Sequence, residues 1–512
     1  MTWKAMLTNQ LRTFDHKYFF SMNNRDDGQV IPDFYATNIE NWLIRNAGEL
    51  EMRDGITARG ASPSKTNLGS GMLRTPTVNK LVRVIDGAGN SAKFQSSDDG
   101  VTWSDISGGG SKTTGTRWVM CQANNILYAV NGVDTAVKYD GSTMTTVAGM
   151  PLGIAIAWWK NVFWVFGNPT YKDRLYYSNA NDPETYGGAA YLNINLGDSS
   201  AGTGLFGTAG LTGRLYCGKE RSVWYITGTS SSDWAIQPLT YEHGVASHES
   251  MVAVKNDVWA IDLEGNVRGL YRPSEDSVFS NLQSTDIQTS IAYLNKSSIR
   301  SSSAVYFNNY AMFFVPNGVD SHNSLVLVFD TLANRGKGGW IKFTGWRIAS
   351  ATVFQESNRQ KLFLHDSRTD NGQTYEWTGT SDAGTAITAK YESKIYDFGM
   401  PYQEKRFFYS YQNAEALGNY TLKFYSSIDR FYYTLLKNVS LLGTGNKLLG
   451  VDWTLGVDKL GSGGRVKEQI LFTDNGGNNY GTTAQIKLEG ESSSVKLKAR
   501  SFSVHLMPYG LR

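Results

Sequence analysis

Helical periodicity is nearly absent from this sequence, and short apolar or alternating runs closed by Gly, Asn or Asp take its place. A run of three to six apolar residues between turn signals is long enough for a strand and too short for a helix. Such runs lie at 126–130 before Asn131-Gly132, 162–166 before Gly167-Asn168 and 214–217 before Gly218. Others lie at 258–261 before Asp262, 311–315 before Pro316, 325–329 before Asp330 and 362–364 before His365. The 53 glycines and 13% aromatic residues suit this pattern, since rings pack on half-buried pleated surfaces and Gly takes the left-handed turn positions. The chain is therefore expected to be all-β: a sandwich, a barrel or a propeller.

The middle of the chain repeats one texture, a turn followed by an apolar strand, a second turn and a second strand. Examples are LYAVNGVDTAVKYDG, NVFWVFGNPTYKDRLYYSN, GRLYCGKERSVWYITG and NDVWAIDLEGNVRGL. Trp164, Trp224 and Trp259 fall 60 and then 35 residues apart, a looser period than signature-bearing propellers keep. The reading is a divergent β-propeller over residues 76–380, with an array of two-sheet sandwiches as the alternative. Residues 1–75 have a different texture and are expected to form an extended or junction segment. From 381 to 512 the strands lengthen, and Lys496, Lys498 and Arg500 alternate with Val495, Leu497 and Ala499. That is the pattern of a half-exposed antiparallel sheet, so a C-terminal β-sandwich is expected there.

Net charge is +3, from 49 basic and 46 acidic side chains. Such a balance gives no global field to hold nucleic acid, although it suits a wall past which nucleic acid slides without sticking. Cys121 and Cys217 are far apart and lack a CxxC partner, so they read as buried free thiols rather than a disulfide framework. That count fits folding in a reducing compartment. No run approaches the ~20 apolar residues of a membrane span, and MTWKAMLTNQ lacks the apolar core of a secretion signal. His243 and His248 are the closest pair among six histidines, with no HExxH and no nearby Cys, and read as turn or surface residues rather than metal ligands. Gly108-Gly109-Gly110 and the Gly-Ser-Gly-Gly run at 461–464 precede no GK[ST], which excludes a phosphate loop. No cofactor is expected.

The sharpest local motif is Ser96-Ser97-Asp98-Asp99-Gly100-Val101-Thr102-Trp103. It matches the Asp box S-x-D-x-G-x-T-W through Ser96, Asp98, Gly100, Thr102 and Trp103, and resembles the hairpin signature of sialidase-like propellers. The expected role is structural: carboxylate and hydroxyl accept turn amides, Gly100 takes a positive φ, and Trp103 tucks beneath. Ser427-Ile428-Asp429 echoes the motif without its Gly. A sialidase-type enzyme would need converging arginines, for which Arg117, Arg174, Arg214 and Arg268 are the candidates, together with further Asp boxes. The expectation is that the chain is not an enzyme, the alternative being a tail-associated glycan-binding or glycan-cleaving sialidase-like propeller.

The segment 38–55, through Asn41, Arg45, Gly48, Leu50, Arg53 and Gly55, resembles the opening phrase of bacteriophage tail and packaged-DNA-stabilising proteins. DRLYYSNANDPETYG (173–187), RLYCGKERSVWYITG (214–228), the unit 323–340 and AITAKYESKIYDFGMPYQEKRF (386–407) are similar to later phrases of the same family, in the same order. The resemblance implies a tail nozzle or hub of a short-tailed phage, a structural virion protein assembled in the host cytoplasm. It also implies a self-assembled ring of about six copies that meets portal, adaptor and other tail proteins. Such a ring extends the portal channel, retains packaged DNA and passes double-stranded DNA during ejection without sequence specificity. Within 38–55, Trp42, Leu43 and Ile44 form an apolar knot between polar flanks. The segment is expected at a domain junction or subunit contact, with those three residues as the candidate contact and an ordinary core strand as the alternative.

Overall fold

A computed structural model of the protein describes residues 10–45, 48–87, 91–208, 213–271, 281–356, 358–415, 417, 420–441 and 465–509. The run at 461–464, and Asn46 and Ala47 of the 38–55 segment, lie outside these residues. The chain is all-β and forms two compact units. One comprises Thr57–Leu327 and Gly345–Trp377; the other comprises Met1–Ile56, Val328–Thr344 and Thr378–Arg512.

The first unit is a β-propeller. Four of its four-stranded antiparallel sheets begin with the strands Asn67–Arg74, Val119–Ala123, Ala155–Trp159 and Gly202–Gly207. A fifth begins with Val252–Val254 and a sixth with Ile348–Glu356. Each starting strand packs beside the starting strand of a neighbouring sheet, and Ile348–Glu356 returns against Asn67–Arg74 to close the circle. Between the fifth and sixth sheets, Ser303–Phe307 and Tyr310–Pro316 take a further place, with Ser303–Phe307 beside both Val252–Val254 and Ile348–Glu356. The outermost strand of the sixth sheet, Ile56–Arg59, comes from the far end of the sequence.

Local chemistry sets the blades. Asn124-Asn125, Lys160-Asn161 and Asn308-Asn309 all have positive φ and connect a starting strand to its second strand. Two consecutive left-handed residues make the tight hairpin whose twist matches the strands, and Asn tolerates that conformation best after Gly. Val162–Phe166 is buried at all five positions, because a blade strand is covered on both faces by its neighbours. Trp159, Trp164, Phe166, Leu205, Leu215 and Trp224 share one such interleaf core. The loose tryptophan spacing has a plain cause. Trp164 and Trp259 sit on second strands of their sheets, whereas Trp224 sits on a third strand.

The second unit holds two antiparallel-rich sheets. One runs Arg465–Leu471, Lys405–Glu415, Lys498–Pro508, Leu50–Met52, Trp42–Ile44, with Arg12–His16 also paired to Lys498–Pro508. The other, within this unit, runs Gly339–Phe343, Tyr35–Glu40, Ile387–Ser393, Ala484–Ser492, Thr421–Ile428, Thr434–Ser440. Ile387–Ser393 and Ala484–Ser492 alternate buried and half-buried residues along their length. His16 from the first sheet meets Tyr391 from the second at 3.0 Å, so the inner faces interlock as in a sandwich.

The division expected at 75 and 380 is corrected by this arrangement. Residues 10–56 are not a free-standing extended segment: Arg12–His16, Tyr35–Glu40, Trp42–Ile44 and Leu50–Met52 are strands of the sandwich unit. Residues 57–74 already belong to the propeller. Sequence periodicity reports a strand but not its partner, and these partners lie hundreds of residues downstream.

Candidate functional site

In the sandwich unit, the residues of the 38–55 phrase converge on Arg53. Its side chain is fully buried and all its donors are used. Nε donates to Asn41 Oδ1 at 2.8 Å, and Nη1 to Asp54 O at 3.0 Å and Asp382 Oδ1 at 2.8 Å. Nη2 donates to Thr344 O at 2.9 Å and Asp382 Oδ2 at 2.6 Å. The guanidinium lies 5.4 Å from the centre of the Phe343 ring. A buried cation demands this complete set, and only the planar fork of Arg can grip a carboxylate with two bonds while reaching carbonyls beside it.

Asn41 is the second hub. It takes a left-handed φ of 59°, and its Nδ2 donates to Thr388 O at 2.8 Å and Thr344 Oγ1 at 3.0 Å. Its Oδ1 also accepts the Thr344 amide at 3.0 Å. Gly55 permits a close approach: a Cβ there would lie 2.0 Å from Ser381 O. Arg53, Asn41, Thr344 and Asp382 thus tie together three stretches of chain that are remote in sequence. Asp382 was not singled out by sequence reading; the signal available was that a buried Arg needs a counter-ion, and an acidic residue precedes the phrase at 386–407.

Trp42, Leu43 and Ile44 are 0%, 0% and 5% exposed within the single chain and pair with Leu50–Met52. They form a core strand, which corrects their reading as a subunit contact.

In the propeller unit, the Asp-box segment forms the expected turn with a shifted set of residues. The Gly100 amide donates to Ser97 Oγ at 2.9 Å, and the Val101 and Thr102 amides donate to Asp99 Oδ1 at 2.8 and 2.9 Å. Ser97 and Asp99 therefore hold the turn in place of Ser96 and Asp98. The Thr102 amide is the largest cause holding the Asp99 carboxyl below its usual range. Asp98 is exposed and faces Lys80 at 3.1 Å, while Ser96 Oγ accepts from Tyr139 at 3.3 Å. Gly100 has φ +73°, as expected. Trp103 Nε1 donates to Gly100 O at 3.1 Å, and the Arg83 guanidinium sits 4.1 Å over its ring. The echo at Asp429, in the sandwich unit, does different work: its Oδ1 accepts the Thr482 and Thr483 amides at 2.7 and 2.9 Å.

The four candidate arginines do not converge. Arg174 lies between Tyr171 and Tyr191, 3.9 and 4.2 Å from their ring centres, and Arg214 lies 4.3 Å over Tyr225. Arg268 pairs with Asp262 at 2.9 Å. Arg117 pairs with Glu249 and donates to Ser302 O at 3.1 Å. Burial lowers the Arg117 pKa to about 10. Among the described residues no group of three His, Cys, Asp or Glu side chains is placed to hold a metal ion. No described helix is long and apolar enough to cross a membrane. Cys217 is fully buried and Cys121 half-buried, and burial raises both thiols, Cys121 to about 11.

The Arg117–Glu249 pair stands at a cavity of about 180 Å³ among the starting strands of the propeller, lined by Ser70, Met120, Phe206, His248, Ser303 and Ser350 among others. The pocket is half open to solvent. His248, expected in a turn or on the surface, belongs to this wall. Burial, and then the charge of Arg117, lower its pKa to about 4.

No protein-family model matches the sequence, and no curated protein matches it. Among solved structures, Raptor from Chaetomium thermophilum is similar at 13% identity and TM-score 0.43, over 67% of this chain. This chain spans only 30% of Raptor. The exo-beta-1,3-galactanase of Phanerochaete chrysosporium is similar at 10% identity and TM-score 0.27, over 89% of this chain and 100% of that one. An arabinoxylan arabinofuranohydrolase of glycoside hydrolase family 43 from Bacillus subtilis has 10% identity and TM-score 0.24, over 89% and 99%.

Proposed function

We propose that this protein is a structural component of a bacteriophage tail, a nozzle or hub subunit that assembles into a ring and conducts packaged DNA. One observation carries the reading. The two family-like phrases at 38–55 and 386–407, at opposite ends of the sequence, belong to neighbouring strands: Tyr35–Glu40 pairs antiparallel with Ile387–Ser393, through Ile39 opposite Tyr391 and Glu40 opposite Lys390. The characteristic Asn41, Arg53 and Gly55 are the residues this joint requires, which gives the shared phrases a physical reason to recur together.

In this reading the work is mechanical and no catalytic residue is involved. Heterologous contacts whose rotation closes make a ring, and in this reading the lumen lies between protomers. A chain of net charge +3 suits a lumen that lets phosphate slide past, because tight phosphate contacts would hold the DNA. The partners are further copies of the chain, portal or adaptor proteins and double-stranded DNA; the site of action is the virion tail, after assembly in the host cytoplasm.

The test is mass photometry followed by negative-stain imaging of the purified protein, with and without a portal-adaptor partner. A closed ring of about six copies with a central hole is expected. A chain that stays monomeric even on the adaptor would overturn the proposal. A reducing-sugar assay on host-surface glycans is expected to show no release; sustained release would favour the glycan-cleaving alternative.

A further inference from the structure

The wall of the propeller cavity carries hydrogen-bonding groups that no described residue satisfies. Ser303 is 2% exposed, yet its hydroxyl has no partner among the described residues. His248 Nδ1 accepts the Leu205 amide at 3.2 Å, which assigns the ring proton to Nε2. That N–H has no hydrogen-bond partner among the described residues, and the ring lines the cavity. Ser70 and Ser350, on the same wall, are joined hydroxyl to hydroxyl at 2.8 Å. A buried donor left without a partner costs about 1–3 kcal/mol, so the Ser303 hydroxyl, beside the outward-facing N–H of the half-buried His248, marks a place suited to an occupant.

The remaining surfaces say what kind of occupant. Glu249 and Arg117 cancel each other's charge, and His248 is neutral, so the cavity as a whole is neutral. An anion would meet the Glu249 carboxylate, and a cation would have to compete with Arg117, which already holds that carboxylate. Phe206 and Met251 add an aromatic ring and a thioether, which favour C–H faces rather than charge. The volume of about 180 Å³ exceeds the ~150 Å³ of a cavity that admits benzene, so it takes one six-membered ring.

We propose that the axial cavity binds a small neutral polyol the size of a single monosaccharide. Its hydroxyls accept from His248 Nε2–H, exchange with Ser303 and donate to Glu249, while a C–H face lies on Phe206 and Met251. This inference is independent of ring assembly, and either can fail without the other.

The experiment uses the full chain with D-glucose, D-galactose, D-mannose and glycerol as probes, by saturation-transfer NMR and calorimetry up to tens of millimolar. One of the hexoses is expected to bind with a millimolar Kd. Ser303→Ala, which removes the hydroxyl without adding bulk, is expected to weaken binding about tenfold. Ala351→Leu, which adds carbon to the same wall, is expected to abolish it, with circular dichroism checking that each variant folds. No binding of any probe to folded wild-type protein would overturn the proposal. So would unchanged binding by Ser303→Ala, which would put the sugar elsewhere on the surface.

Discussion

Replacing Arg53 with Met removes five hydrogen bonds, among them the two-pronged grip on Asp382, whose side chain is 13% exposed. Asn41 Oδ1 keeps its bond from the Thr344 amide, so the damage falls chiefly on the Asp382 carboxylate and on Thr344 O. Deleting one partner of a buried ion pair costs about 3–5 kcal/mol, because the other charge is left desolvated. Removing both is far gentler, and Arg53→Met with Asp382→Leu is expected to recover about 2–3 kcal/mol of that loss as coupling energy. The assay is native-state hydrogen exchange read by mass spectrometry on peptides covering Tyr35–Glu40 and Ile387–Ser393. At about 1.4 kcal/mol per tenfold change, protection in the single variant should fall about a hundred-fold to a few thousand-fold. A fall of less than tenfold, or a double variant as damaged as the single, would refute the claim that this ion pair ties the joint.

Three further expectations come from buried groups and from the turn. His16 is fully buried between Tyr391 and Tyr396, whose hydroxyls lie 3.0 and 2.7 Å from its two ring nitrogens, and burial lowers its pKa to about 3. Because the unfolded chain takes the proton first, this histidine's contribution is fully present above pH 6.5 and is lost as pH falls toward 3, by about 1.4 kcal/mol per unit. Denaturant titrations of His16→Phe should therefore show a shallower acid slope than wild type; an unchanged slope would exclude the assignment. Asp99→Ala should cost about 1 kcal/mol by losing its turn amides, whereas Asp98→Ala should be near neutral, and thermal melts giving the reverse order would restore the motif register first read from the sequence. Native Cys217 should resist thiol reagents at pH 8 until the protein is unfolded, and rapid stoichiometric labelling would contradict its full burial.

The propeller strands were legible because their signals are local. Each turn pair such as Asn124-Asn125, and each run such as Val162–Phe166, sits where the sequence puts it. The Asp-box turn was legible as a turn but not in its register, since Ser96-Ser97 and Asp98-Asp99 offer the same chemistry twice and only the strand pleat decides which pair faces the loop. The placement of residues 10–56 was not legible. Residues 1–75 read only as an extended or junction segment, because the hydrogen-bond partners of Arg12–His16 and Tyr35–Glu40, at Lys498–Pro508 and Ile387–Ser393, leave no mark in those residues themselves. Trp42, Leu43 and Ile44 illustrate the same limit: three consecutive apolar residues signal burial without saying against what. The cavity was invisible for a related reason, being assembled from single residues on six different strands and turns.

Both units contain a strand made early that must wait for a partner made late. Thr13 meets His505 across 492 residues of sequence in the sandwich, and Arg59 meets Glu376 across 317 in the propeller. On a ribosome adding about 5–20 residues per second, the propeller strand stays unpaired for roughly 15–60 s and the sandwich strand longer still. Neither core can be completed until its late strand has been made, so the propeller must wait for residues near 376 and the sandwich for residues near 505.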